Sequence, residues 1–227
     1  MPTVMITGAN RGLGLEFARQ YAADGWRVIA TIRKPESGAA LAAVQGDIQV
    51  HLLDVANFEM IDALAAELKD VAIDVLVHNA GIMGPRGADM TEIDFGAWEQ
   101  VLRVNALAPF KVITAFLPQV ERGVQRKIVV LTSKMGSMAD NSSGGSYIYR
   151  SSKAALNAHM RSLAIDLARR DIAVTVLHPG WVRTDMGGPR GLIDAEQSVA
   201  GMRGVIDGLT TETGGRFYNY DGQEIPW

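Results

Sequence analysis

Short runs of β-branched and other apolar residues recur along the chain at 3–7 (TVMIT), 27–32 (RVIATI), 48–53 (IQVHLL), 73–78 (IDVLVH), 127–132 (KIVVLT), 172–178 (IAVTVLH) and 216–220 (RFYNY). Runs of that length and composition predict strands. The stretches between them are of helical length and place apolar residues three and four apart, as in Leu13, Phe17 and Tyr21, or Ile61, Leu64 and Leu68. These predict crossover helices. Strands apolar nearly throughout are expected to be covered on both faces, and repeated strand–helix alternation specifies a parallel sheet between two helical layers. The prediction is an α/β fold over residues 1–227, a single-domain doubly wound parallel sheet of Rossmann type with helices on both faces.

Glycine-, asparagine- and serine-rich loops fall at Gly84–Ala88, Asn141–Gly145 and Gly187–Gly191. Each follows the carboxyl end of a predicted strand, the edge that carries the ligand crevice in open parallel sheets. The chain has 227 residues, with 22 Lys+Arg against 25 Asp+Glu and a formal net charge of -3. No clustered cationic surface of the kind that binds nucleic acid or anionic membrane is expected. Without cysteine there is no disulfide, thiolate metal site or cysteine nucleophile. The apolar start, residues 1–8, reads as a strand rather than a signal-peptide core, and no window reaches the roughly 18 uninterrupted apolar residues of a membrane span. A cytoplasmic protein is the default expectation.

The first predicted strand runs into Thr7-Gly8-Ala9-Asn10-Arg11-Gly12-Leu13-Gly14 and then directly into a helix. Glycines in a strand–turn–helix context let the backbone approach a pyrophosphate, whose charge the helix N-terminus favours. No Gly-Lys-Ser/Thr follows at P-loop spacing. An NAD site would carry an acidic residue at the end of the second strand, where this chain has Arg33. With Arg11 in the turn and Lys34 adjacent, the cations suit a 2'-phosphate, so NADP is expected in preference to NAD.

In Tyr149-Arg150-Ser151-Ser152-Lys153 the phenol and the amine stand at i and i+4 and project from one helix face. An ammonium beside a phenol favours the phenolate and is expected to draw the Tyr149 pKa down toward working pH.

Taken together these motifs resemble the short-chain dehydrogenase/reductase family over essentially the whole chain. They comprise Thr7-Gly8-x-x-x-Gly12-x-Gly14, Asp54-Val55, Asn79-Ala80-Gly81, Asn105, Ser133, Tyr149-x-x-x-Lys153 and Pro179-Gly180-Trp181-Val182-Arg183-Thr184, in that order. The run from His178 to Trp181 and the ending from Gly214 to Gly222 are similar to the branch of sniffer-type carbonyl reductases and C-factor-like proteins. The resemblance implies an NADP-dependent reductase of a medium-sized apolar ketone or aldehyde. Tyr149 would be the proton donor, and Ser133 would hold the substrate oxygen. Lys153 would lower the Tyr149 pKa and bond the nicotinamide ribose, and Asn105 would fix a water linking Lys153 to solvent.

For the cofactor, the resemblance implies contacts from Gly8, Asn10, Arg11, Gly12, Leu13 and Gly14 in the turn, and Arg33 at the 2'-phosphate. It also implies Asp54 and Val55 at adenine, Asn79, Ala80 and Gly81 along the adenosine ribose, and Pro179, Gly180, Val182 and Thr184 around the carboxamide. Met83, Met135, Met138 and Met186 follow predicted strand ends and suit an adaptable apolar pocket, with Trp181 as its wall. Residues 184–195 form a short substrate lid in this reading, mobile because few apolar side chains pin it. The C-factor likeness admits an alternative, a dinucleotide-binding signalling or sensor protein. A homodimer is allowed.

Two positions depart from the family pattern. Ser133 lies 16 residues before Tyr149, where the family usually has about 13, so a bulge is expected in 138–146, with Ser137 as the competing serine. His78 stands where the family commonly has asparagine; a strand-end histidine bonded to backbone is the expectation. His51, His78, His159 and His178 show no paired metal-ligand spacing, and no metal site is expected.

Overall fold

The computed structural model describes residues 1–87 and 89–227; Ala88, the end of the predicted Gly84–Ala88 loop, lies outside them. The elements are β1 (Thr3–Thr7), α1 (Gly12–Ala23), β2 (Arg27–Ile32), α2 (Ala39–Ala42), β3 (Ile48–Leu52), α3 (Phe58–Glu67) and β4 (Val75–His78). There follow α4 (Phe95–Leu102), a π turn (Arg103–Leu107), α5 (Ala108–Arg122), β5 (Lys127–Leu131), α6 (Tyr147–Ala168), β6 (Ala173–His178), α7 (Ala195–Asp207) and β7 (Phe217–Asn219). The seven strands form one sheet in the order β3-β2-β1-β4-β5-β6-β7, every pairing parallel. Chain order reverses between β1 and β4, which opens the crevice where a doubly wound sheet binds its ligand.

Alternation along the strands divides the core in two. Met5, Leu76 and Val130 face α3, α5 and α6 through Ile61, Leu64, Phe116, Leu156 and Met160. Val4, Ile6, Val75, Val77 and Val129 face α1 and α7 through Phe17, Tyr21, Val199 and Met202. Burying each such side chain stabilises the fold by about 1.5–3 kcal/mol, so the central strands are strongly specified. At the sheet edge the expected covering of both faces fails. Val50 and Leu52 of β3 are 46% and 48% exposed, because β3 has one neighbour and the connection leading into it carries only a 3-10 turn at Pro35–Gly38 and the four-residue α2.

Within the continuous helix Phe95–Arg122 an 18-residue window reaches a mean hydropathy of 1.3 and would cross a bilayer by length and composition, yet half of that window is buried inside the domain. Arg103 lies 4.2 Å over the Phe58 ring and Lys111 pairs with Asp62 of α3 at 2.5 Å. Packing against the sheet accounts for its apolarity. Asn105 sits in the π turn, which carries it to the base of the crevice.

Candidate active site

At the switch point Asn79 laces two strand ends together. Its amide donates to the Thr7 and Gly8 carbonyls, both at 2.9 Å, while the Thr7 hydroxyl accepts from the Asn79 and Ala80 amides, both at 3.1 Å. Gly8 turns there with φ +67, and a Cβ on Gly14 would lie 2.3 Å from the Gly8 carbonyl oxygen. Side chains at either position would close the turn. The cradle is therefore open toward the start of α1 and fits a dinucleotide pyrophosphate. Thr184 faces it from the far side, 3.5 Å from where a Cβ on Gly12 would stand.

The other expected cofactor residues border this cradle with differing freedom. Arg33 is exposed just past β2 and joins no ion pair among the described residues. Arg11 caps α1 in extended backbone and pairs with Asp185 at 2.5 Å. Asp54 accepts from the Ala56 amide at 2.9 Å, and Val55 is buried in the core beneath it. Asn10 and Leu13 are half-buried, Leu13 packing on the α1 side of the core. Pro179 accepts from the Ser198 hydroxyl at 2.6 Å, and Val182 is buried and bridged to Ile193.

Tyr149 and Lys153 occupy one face of α6 and are both buried. The Lys153 ammonium lies 5.9 Å over the Tyr149 ring and donates to the Leu131 carbonyl at 2.9 Å. Burial lowers the Lys153 pKa to about 8. Burial also pushes the Tyr149 phenol above its ordinary value, opposed by the neighbouring Ser133 hydroxyl and by the Arg86 charge. For the protein groups alone the expected lowering by Lys153 does not appear, because desolvation of a nine-tenths buried phenol outweighs its neighbours.

The two candidate serines differ in what each hydroxyl already holds. Ser137 donates to the Pro226 carbonyl at 2.6 Å and accepts from the Asp140 amide, whereas Ser133 accepts from the Met135 amide at 3.2 Å and lies against the phenol. The insertion between serine and tyrosine is taken up where expected, with Gly144, Gly145 and Ser146 successively at positive φ.

The Asn105 side chain is bonded within the protein. It accepts from the Ile82 amide at 2.9 Å and donates to the Ile82 carbonyl at 2.8 Å and the Ser152 hydroxyl at 3.1 Å. It thus fixes the strand-end loop that carries Gly81, and Gly81 lies close to both Asn105 and Lys153. Nothing in the sequence pattern pointed to Ser152, which is buried and bonds back to the Tyr149 carbonyl. His78 is buried beside the Ala80 backbone, whose hydrogen bonding favours the protonated imidazole, although neither nitrogen has a well-formed hydrogen-bond partner. Burial first, and the Lys153 charge second, lower its pKa to about 3.

The presumed pocket residues follow the carboxyl ends of three adjacent strands: Met83 after β4, Met135 after β5, and Trp181 and Met186 after β6. Met138, 76% exposed, stands outside this group. The segment expected to form a lid carries several polar ties. Trp181 donates to the Gly187 carbonyl at 2.8 Å, Leu192 to the Trp181 carbonyl at 2.7 Å, and Gly188 to the Thr184 carbonyl at 2.7 Å. Arg86, absent from every motif, reaches across from the loop after β4 and donates to the Met186 carbonyl at 2.5 Å. Its partner is 100 positions away, so no local pattern marks it.

Comparison with known proteins follows the same lines. The chain is 45% identical over 165 residues to the C-signal of Myxococcus xanthus, covering 73% of this chain and 99% of that one. The carbonyl reductase Sniffer of Drosophila melanogaster superposes with a TM-score of 0.92 at 35% identity over 100% of both chains. An NADPH-bound carbonyl reductase from chicken fatty liver does so with a TM-score of 0.91 at 31% identity, over 100% of this chain and 99% of that one. Residues 2–192 match the short chain dehydrogenase family, and the chain belongs to that family, in its carbonyl-reductase-like branch.

Proposed function

We propose that the protein is an NADP(H)-dependent carbonyl reductase acting on medium-sized, largely apolar ketones or aldehydes. The observation that carries the reading is the buried Tyr149–Lys153 pair on one face of α6, with the Ser133 hydroxyl on the phenol. NADP(H) is the cofactor, as in the NADPH-bound carbonyl reductase, and it supplies the hydride. The glycine turn from Gly8 to Gly14 holds the pyrophosphate and Arg33 the 2'-phosphate. Lys153 takes the nicotinamide ribose, and the segment from Pro179 to Thr184 the carboxamide. Ser133 orients the carbonyl oxygen, and Tyr149 gives it a proton through the phenolic O–H; a phenol kept protonated by burial is suited to that task. Asn105 acts by fixing the loop that carries Gly81. The water proposed to link Lys153 to solvent then sits beside that loop.

The test is NADPH consumption against a panel of aldehydes and ketones, with Tyr149→Phe as the control that removes only the hydroxyl. Turnover in the variant should fall by at least about 10² to 10⁴, while NADPH affinity stays within a few-fold. A variant that turns over the best substrate at the original rate removes Tyr149 from the role. Identity to the C-signal supports a second reading, a dinucleotide-binding signalling protein. Tight NADPH binding with no carbonyl reduced across the panel would favour it.

A further inference from the structure

Arg86 lies where the two walls of the crevice meet. Its loop is pressed onto the catalytic helix layer: a Cβ on Gly84 would stand 2.7 Å from Val101 of α4 and 3.5 Å from Ile148, the residue before Tyr149. From this anchored base the exposed Arg86 side chain crosses to the lid and donates to the Met186 carbonyl at 2.5 Å. A guanidinium offers five N–H donors in a planar fork, and this bond uses one nitrogen. Among the described residues no carboxylate lies within 4.0 Å of Arg86, whereas Arg11, Arg183 and Lys134, which also follow strand ends, all have one. The Arg86 charge is nonetheless felt at the reacting centre, where it is one of two groups that favour the ionised Tyr149 phenol. A carbonyl of the lid backbone cannot neutralise a cation. The rest of the presumed pocket, Met83, Met135, Met186 and Trp181, offers apolar surface.

We propose that this site prefers carbonyl compounds that carry a second, anionic group, and that the Arg86 guanidinium holds that group between the loop after β4 and the lid. The inference rests on the reductase reading and narrows its substrate class. A carboxylate accepts two parallel N–H bonds from such a fork, and at a partly enclosed crevice mouth the pair is worth more than at an open surface. Arg86 is then a specificity-determining residue. It ties the lid through one nitrogen and reads the substrate through the others.

The experiment compares 3- and 4-carboxybenzaldehyde with their methyl esters, which keep size and reducible group and remove the charge. In the unaltered protein kcat/KM should favour at least one acid over its ester by about tenfold or more at low salt, and the preference should shrink as ionic strength rises. Arg86→Gln should bring the ratio to within about threefold, and Arg86→Glu should reverse it. Because the readout is a ratio, losses common to both substrates cancel. A preference for the esters, or an acid preference that survives Arg86→Gln, overturns the proposal. Calorimetric titration of benzoate onto the NADPH-saturated protein separates this outcome from failure of the reductase reading. Benzoate binding that Arg86→Gln weakens at least about tenfold supports charge recognition even without turnover. An active enzyme whose benzoate binding is absent or unchanged by the substitution overturns it.

Discussion

The Arg11 guanidinium meets the Asp185 carboxylate at 2.5 Å, joining the glycine-rich turn to the lid across 174 positions of sequence. One of the two arginines expected at the 2'-phosphate is thereby engaged elsewhere. The pair is 70% and 75% exposed, so it contributes no more than about 1 kcal/mol and is easily exchanged for another partner. Its significance is positional, since it ties the residue that caps α1 to the segment after β6.

Arg33, exposed and outside any ion pair among the described residues, should therefore carry most of the cofactor preference. The protein is expected to bind NADPH more tightly than NADH by one to two orders of magnitude, about 1.4 to 3 kcal/mol. Arg33→Asp should narrow or reverse the ratio, and Arg11→Ala should change it less. Fluorescence titration with both cofactors measures this. Equal affinities in the unaltered protein would sink the assignment.

The segment proposed as a lid is held by backbone hydrogen bonds, the Arg11–Asp185 pair and Arg86, with Trp181 48% and Met186 39% exposed. A segment tied by exposed polar bonds opens at little cost. Amide exchange across 186–192 should slow when NADPH and a substrate bind, and Asp185→Asn should quicken it in the unliganded protein. Equal protection with and without ligands would mark a rigid surface loop instead.

What the sequence makes legible is what is local. β1 and β2 fall on the predicted residues because each is an apolar run bounded by a sharp turn. Tyr149 and Lys153 are found by spacing because a helix turns i and i+4 to one side. β3 has the same apolar look, and no periodicity tells an edge strand from a central one, so Val50 and Leu52 were expected under cover. Residues whose meaning lies in a distant partner stay hidden. Ser137 is withdrawn from the active site by Pro226, and Arg86 is drawn toward it by Met186. Composition and spacing do not carry such contacts.

The pH dependence of carbonyl reduction should report Lys153 before Tyr149. Burial brings the ammonium pKa down to about 8 and moves the phenol above its ordinary value. As pH rises, the charged form of Lys153 is lost first, while Tyr149 keeps the proton it must give. kcat/KM should thus fall through a limb centred near pH 8, with NADPH affinity weakening over the same range. Residual turnover in Tyr149→Phe should retain the limb, because Lys153 is unchanged there. A profile that stays flat until about pH 10, the ordinary phenol range, would hand the limb to Tyr149.

Acid should expose the cost of His78. Its folded pKa is about 3 against an ordinary histidine's 6.5, and His178 is lowered to about 4, in both cases by burial first. Between these values the unfolded chain holds protons that the folded chain does not. Stability therefore falls as pH drops below about 6.5, by about 1.4 kcal/mol per pH unit for each such histidine once its unfolded form is fully protonated. The loss from His78 continues to about pH 3, where the folded form also takes up its proton. His78→Asn removes the titrating group from this buried position. Urea unfolding at several pH values between 6 and 4 should show a shallower dependence in this variant, by about one proton's worth, whatever its stability at neutral pH. An unchanged slope would mean that His78 already carries its proton in the folded protein, and that the buried imidazole beside Lys153 is charged.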